Sequence, residues 1–113
     1  MEMDENKIAR EVVYETVLHA ELEQRGLAVL RQQPIPIKFG TMTFAEGFRA
    51  DLIVNDKLII ELKSVERTLP LHKKQLLTYL RLTDKRLGLL INFGSELIKD
   101  GITRVVNRLP ENK

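Results

Sequence analysis

The run Leu58-Ile59-Ile60-Glu61-Leu62-Lys63 constrains this chain more than any other segment. Both faces of an extended strand are apolar there until Glu61, and such a strand belongs inside a sheet covered on both sides. Just before it, Asn55-Asp56-Lys57 reads as a tight turn and Phe48 to Val54 as the preceding strand. The two strands form a hairpin. Asp51, Glu61 and Lys63 place charge in a setting where burying it needs a reason.

Strand alternation puts Arg49, Asp51 and Ile53 on one face, and Ile59, Glu61 and Lys63 on one face of theirs. The loop decides whether those faces coincide. A three-residue loop pairs Val54 with Leu58 and sets Asp51 opposite Glu61, whereas a two-residue loop sends the acids to opposite faces. In the first register the two Cβ atoms lie about 5 Å apart. One carboxyl pKa then rises unless a cation neutralises the pair. A hard divalent cation that keeps several waters suits these oxygen donors. Lys63, on the same side, can orient an attacking water or stabilise charge on a phosphoryl oxygen. The set suits phosphodiester hydrolysis. The competing reading of the same residues is a structural ion pair at the sheet end.

The flanking segments read as one α/β domain over residues 1–113. A helix runs from Glu5 to Gln24, with Gly26 as its left-handed terminator. Its apolar residues cover more of the circumference than one sheet face needs, which suggests a second layer or a homodimer through this helix. Glu11, Glu15, Leu18 and Leu22 share one narrow sector, so Glu11 can face inward as a third carboxylate. Leu27 to Gln33 is strand-like up to Pro34, and Ile35, Ile37 and Phe39 form a second extended piece. Pro34 and Pro36 favour an edge or a bulge. Gly40 to Thr43 reads as a turn, and Phe44 to Gly47 is ambiguous. Leu71 to Leu82 is a helix with Pro70 at its first turn. Gln75 and Tyr79 stack on one face of it, with His72 three residues before Gln75. Arg86 to Phe93 is a buried strand, and Gly101 to Leu109 a strand or short helix.

Charge is uneven along the chain. The formal net charge is +2, but the first helix is acidic and the remainder basic. Lys63, Arg67, Lys73, Lys74, Arg81, Lys85 and Arg86 cluster in one stretch against Glu66 and Asp84, a patch able to attract a polyanion. No cysteine is present, which excludes disulfides, thiolate metal sites and a cysteine nucleophile. Apolar runs are too short for a membrane span, and no basic-then-apolar leader opens the chain. A soluble cytoplasmic protein is the expectation.

Five segments together resemble the small GxxExxY family within the PD-(D/E)XK nuclease-like superfamily. They are Glu11-Val12-Val13-Tyr14, Phe48-Arg49-Ala50-Asp51-Leu52, Ile60-Glu61-Leu62-Lys63, Leu71 to Leu80, and Gly88 to Phe93. The resemblance implies a restriction-endonuclease-like fold, with a mixed central sheet flanked by helices in the order α-β-β-β-α-β. It makes Asp51 and Glu61 metal-binding carboxylates, with the Leu62 carbonyl as a further ligand and Mg²⁺ or Mn²⁺ as the cofactor. Lys63 becomes the catalytic lysine and Glu11 the helical acid. Gln75 and Tyr79 are similar to the Gln-x-x-x-Tyr helix of RecB-like nucleases, with Gln75 orienting water or phosphate. The expected activity is a metal-dependent nuclease acting on DNA, with RNA as the other substrate. Arg49, His72, Lys73, Lys74, Tyr79, Arg81, Lys85 and Arg86 are the expected nucleic-acid contacts. The alternative is a non-catalytic nucleic-acid-binding or protein-interaction module. Two departures stand out. Ile8 occupies the position of the family's first glycine, and the chain begins near this motif without the helix that commonly precedes it.

Overall fold

Seven elements form: the two extended pieces on either side of Pro34 are one strand, the next strand starts within the expected turn at Met42, and a fifth strand follows the expected α-β-β-β-α-β order. The structure, a computed structural model, describes residues 5–94 and 101–108. In chain order the elements are α1 (Glu5–Gln24), β1 (Val29–Phe39), β2 (Met42–Val54), β3 (Leu58–Lys63), α2 (Pro70–Thr83), β4 (Leu87–Asn92) and β5 (Ile102–Val106). The final segment is therefore a strand; Leu109, at the end of its expected span, lies outside the described residues. No helix among the described residues is long and apolar enough to cross a membrane.

The strands make one sheet in the order β1-β2-β3-β4-β5. Antiparallel pairs join β1 to β2, β2 to β3 and β4 to β5, while β3 and β4 run parallel across the α2 connection. β3 is thus a central strand, as its two apolar faces require. β1 continues through both prolines at the sheet margin, with an irregular register between Ile35 and Ile37. That is where a residue without an N–H can be accommodated.

Both helices carry the expected stops. At the end of α1, Gly26 (φ +85°) lets its own N–H reach the Glu23 carbonyl and that of Leu27 reach Leu22, a Schellman closure. α2 starts with Pro70 at its first position, where no N–H is needed. His72 Nδ1 accepts the Leu69 N–H at 3.0 Å. Its far end closes at Asp84 (φ 54°), with Lys85 N donating to Leu80 O.

The sheet is covered on both sides. Leu76, Tyr79 and Leu80 of α2 bury Ile35, Ala50, Ile53, Ile59, Leu90 and Val105. On the other side Leu18 and Leu22 of α1 pack against Val29, Leu52, Val54, Ile60, Leu62 and Ile91. Val12, Val13 and Val17 remain more than half exposed, so the apolar breadth of α1 is not absorbed by the sheet.

The clusters also show a break in alternation. Ala50 and Ile53 lie on the same side although they are three positions apart, and Val29 and Ile35 lie on opposite sides although they are six positions apart. The pairing of Arg31 with Leu52 and Gln33 with Ala50 is nonetheless continuous. Gln32, between them, has φ 49°, a left-handed conformation that turns the strand over. Its cross-strand neighbour is Asp51. This corrects the expectation that Arg49, Asp51 and Ile53 share one face: both strands roll over together at Gln32 and Asp51.

Candidate active site

The hairpin turn settles the register. Asn55 (φ 51°) and Asp56 (φ 55°) are both left-handed, and Lys57 N donates to Val54 O at 3.0 Å. Asn and Asp tolerate that conformation better than other side chains. Val54 faces Leu58, Ile53 faces Ile59, and Leu52 faces Ile60. Asn55 also anchors the turn to the start of β1, donating its N–H to Ala28 O at 2.7 Å and accepting the Ala28 N–H on Oδ1 at 2.9 Å. The loop has three residues, and the register is the one that brings the two acids together.

Beyond Leu52 and Ile60 the ladder gives way to side chains. Glu61 Oε1 accepts the Asp51 N–H at 3.2 Å, and Asp51 Oδ2 accepts the Leu62 N–H at 2.7 Å. Each carboxylate therefore satisfies a backbone donor of the opposite strand where the strands stop pairing. Glu61 is buried and Asp51 half-buried.

A cleft of about 340 Å³ opens at this point, walled by Glu11, Val12, Glu15, Gln32, Arg49, Asp51, Glu61, Leu62, Lys63 and Tyr79. Four carboxylates face two cations. Burial, and then the charge of Asp51, push the Glu61 carboxyl up to about 8, and burial raises Asp51 as well. Tyr79 is pushed up to about 12 by burial and by Glu61 and Asp51. Lys63 pulls both carboxyls down. The cleft favours a positive guest. Two acids with hard oxygen donors fit a small divalent cation that retains waters. Among the described residues, however, no group of three or more His, Cys, Asp or Glu is arranged to hold a metal.

Lys63 is placed by the strand ends. It pairs with Asn92 in the parallel ladder, and Phe93 N donates to its carbonyl at 2.7 Å. The fully buried Asn92 accepts Val65 N and Gly94 N on Oδ1, joining β3 and β4 where they diverge. α1 is fixed over this end by the Tyr14 and Phe93 rings, stacked at 3.9 Å, and by Arg10 Nε on Ser64 Oγ at 3.2 Å. That position brings Glu11 to the cleft.

Three residues not assigned a site role from the sequence, Glu15, Arg31 and Gln32, complete the site. Glu15 is buried, and its Oε2 accepts from Arg31 Nε and Nη2 at 3.1 and 3.0 Å. Gln32 Nε2 donates to Glu15 Oε1 at 2.5 Å and to Asp51 Oδ1 at 3.2 Å. Arg49 Nη1 donates to the Gln32 carbonyl. Glu15 carried a signal in the helical sector it shares with Glu11 and Leu18. Gln32 and Arg31 carried none, because a left-handed residue inside a strand leaves no periodic trace.

The remaining expected residues divide. Gln75 does not wall the carboxylate cleft; it lies behind Tyr79, donating to its hydroxyl at 3.0 Å. With His72 it lines an adjoining cleft. Lys73, Lys74 and Arg81 are exposed on α2. Lys85 and Arg86 sit at the other end of the strands, since Leu58 pairs with Leu87 there and Lys63 with Asn92 at the carboxylate end. Lys85 bonds Asp56 of the hairpin turn at 3.0 Å, and Arg86 bonds the Arg108 carbonyl. Those two cations are not assembled with the acids.

A family model described as the PD-(D/E)XK nuclease superfamily matches residues 7–105. No curated protein matches the sequence. Among solved structures, that of SSO0001 is similar with a TM-score of 0.61 at 23% identity, over 88% of this chain and 50% of that one. An alkaline exonuclease, LHK-Exo from Laribacter hongkongensis, is similar with a TM-score of 0.59 at 20% identity, over 95% of this chain and 61% of that one. Its complex with dAMP gives a TM-score of 0.58. This chain therefore spans between half and about three fifths of those chains, and the likeness establishes the restriction-endonuclease-like fold.

Proposed function

Because this chain belongs to the PD-(D/E)XK nuclease superfamily, we propose that it is a divalent-cation-dependent nuclease that hydrolyses phosphodiester bonds of DNA. The observation that carries this reading is the convergence of Asp51, Glu61 and Lys63 on one cleft at the end of the β2–β3 ladder. The similar alkaline exonuclease, whose structure has been solved with dAMP, supports DNA over RNA. Glu11 and Tyr14 keep the narrower resemblance to the GxxExxY family, and a cytoplasmic location goes with it.

Asp51, Glu61 and the Leu62 carbonyl would hold Mg²⁺ or Mn²⁺. When bound, such an ion polarises a phosphoryl oxygen and makes a water more acidic. The chain's own groups do the rest. Glu61 gives up the proton that burial and Asp51 favour, and the resulting carboxylate is available as a ligand. Lys63 donates from its ammonium to the attacking water or to a phosphoryl oxygen as charge develops. Glu15, itself held by Arg31, and Gln32 keep Asp51 oriented. Arg49 contributes attraction for phosphate at the rim, and Glu11 acts on the cleft through water.

Cleavage of labelled single- and double-stranded DNA tests the reading. Mg²⁺-dependent products that fall at least about a hundredfold in Lys63→Ala support it; unchanged cleavage in that variant defeats it. A second reading, a nucleic-acid-binding or protein-interaction module without turnover and homodimeric through α1, is favoured by the lack of a three-ligand cluster among the described residues. Titration calorimetry separates the two. Mg²⁺ or Mn²⁺ binding lost in both Asp51→Ala and Glu61→Ala supports the nuclease, and no binding to the intact chain supports the module.

A further inference from the structure

Tyr79 belongs to two clefts. One face of its surroundings is the carboxylate site; the other is a separate cleft of about 280 Å³ lined by Phe48, Leu71, His72, Gln75, Thr78 and Tyr79 itself. We propose that this second cleft is a subsite for one unpaired nucleobase of the strand whose phosphate lies against the carboxylates. The inference rests on the nuclease reading and adds a substrate class to it: nucleic acid that presents an unpaired nucleotide beside the scissile bond.

The lining has the chemistry of a base and not of a general apolar partner. Phe48 is 39% exposed, with its ring 5.0 Å from that of Tyr79 and tilted by 41°. Leu71, in the same lining, is 69% exposed. A concave apolar surface left open to water this close to a charged site is suited to a flat π-system. One edge of the cleft is polar. The Gln75 amide nitrogen is committed to the Tyr79 hydroxyl, and its amide oxygen takes no hydrogen bond among the described residues, which presents an acceptor to an exocyclic amino group or ring N–H.

Size excludes a base pair. The cleft lies below the roughly 300–1,000 Å³ of drug-sized sites, which leaves room for one ring system. A base stacked and paired within a duplex has neither its face nor its edge available. Occupation therefore requires a single strand or a frayed end. Lys73 and Lys74 on the same helix, both exposed, supply attraction for the backbone without base selection.

The test uses the full chain and short single-stranded oligodeoxynucleotides in Ca²⁺, with one abasic nucleotide stepped along the strand. An abasic residue at one position is expected to weaken binding about tenfold, and a blunt duplex of the same sequence to bind at least about tenfold more weakly. Phe48→Ala and Leu71→Ser, both at exposed positions, are expected to bind all the oligonucleotides alike. Equal affinity for every abasic position in the intact chain overturns the subsite, as does a position dependence that persists in both variants. Cleavage in Mg²⁺ is scored separately. Cleavage without an abasic effect removes the subsite and leaves the nuclease; an abasic effect without cleavage keeps the base site and removes the catalytic reading.

Discussion

Gln32 and Asp51 face one another across β1 and β2, and the amide of the first holds the carboxylate of the second at 3.2 Å. The same amide holds Glu15 of α1, so one exposed side chain connects a helix acid to a strand acid. The left-handed backbone at Gln32 carries a cost of about 1–2 kcal/mol for a residue with a Cβ. A strained residue that orients a cleft-lining carboxylate has the distribution of strain found at functional sites. Gln32→Leu removes a hydrogen bond that stabilises the ionised form of Asp51, so its carboxyl rises further. Mn²⁺ affinity by calorimetry is expected to fall about 10- to 100-fold, and an unchanged affinity would dismiss the tether.

Glu61 gives the fold a pH signature. Its carboxyl stands at about 8 in the folded chain against 4.5 as its ordinary value. Between those values the folded state holds a proton that the unfolded state has lost. Without divalent cations, stability therefore falls as pH rises from about 4.5 through about 8, by on the order of a few kcal/mol. Asp51 shifts in the same direction. Urea unfolding in chelator should become flatter with pH in Glu61→Gln, and Mg²⁺ at pH 8 should stabilise the parent chain but not that variant. A parent chain that gains stability across this window contradicts the burial of the pair.

Two glycines of the β4 segment set close approaches, Gly88 to α2 and Gly94 to the chain beyond β3. A Cβ on Gly88 would meet the Leu76 side chain at 2.9 Å, whereas one on Gly94 would meet the Val65 carbonyl oxygen at 2.1 Å. A side chain can turn aside; a backbone oxygen cannot without moving its strand. Gly88→Ala is expected to cost about 1–3 kcal/mol and Gly94→Ala more, measured by urea unfolding. Val65 lies two residues after Lys63, so Gly94→Ala should also lower DNA cleavage where Gly88→Ala largely spares it. The reverse ranking would refute this packing.

Asn55 fixes the turn on which the register depends. Asn55→Ala loses the side-chain bond to Ala28 and puts a Cβ-bearing residue without a local polar group at φ 51°. A loss of about 1–3 kcal/mol follows, while Asn55→Gly loses less because glycine adopts that conformation freely. Thermal unfolding of the two variants checks the order. By contrast, Asp56→Ala removes a 91%-exposed partner of Lys85, and the loss of that ion pair should cost under about 1 kcal/mol.

Much of the architecture was legible because it rests on periodicity and punctuation. The helix from Glu5 to Gln24 ends where Gly26 predicts, and the helix after Leu69 starts at Pro70. The covered strand Leu58–Lys63 is central because both of its faces are apolar. The pair Asp51 and Glu61 was legible only up to the choice of loop length, since a one-residue slip is invisible in composition and is decided by two left-handed residues at Asn55 and Asp56. β1 and β2 run longer than expected because pairing with each other carries them through prolines and polar residues. Gln75 shares a helical face with Tyr79, but Tyr79 walls the carboxylate cleft and Gln75 stands behind its hydroxyl. Lys85 and Arg86 are close to the site in sequence and remote in space because a parallel crossover returns the chain to the starting ends of the strands. Glu15 shared the inward sector of its helix with Glu11, but its contacts with Arg31 and Gln32 join separate elements and no local pattern encodes them.

The margin of the sheet formed by β1 carries Pro34 and Pro36. Neither has a donor to offer an incoming chain, and the irregular pairing between Ile35 and Ile37 further spoils that side as a template.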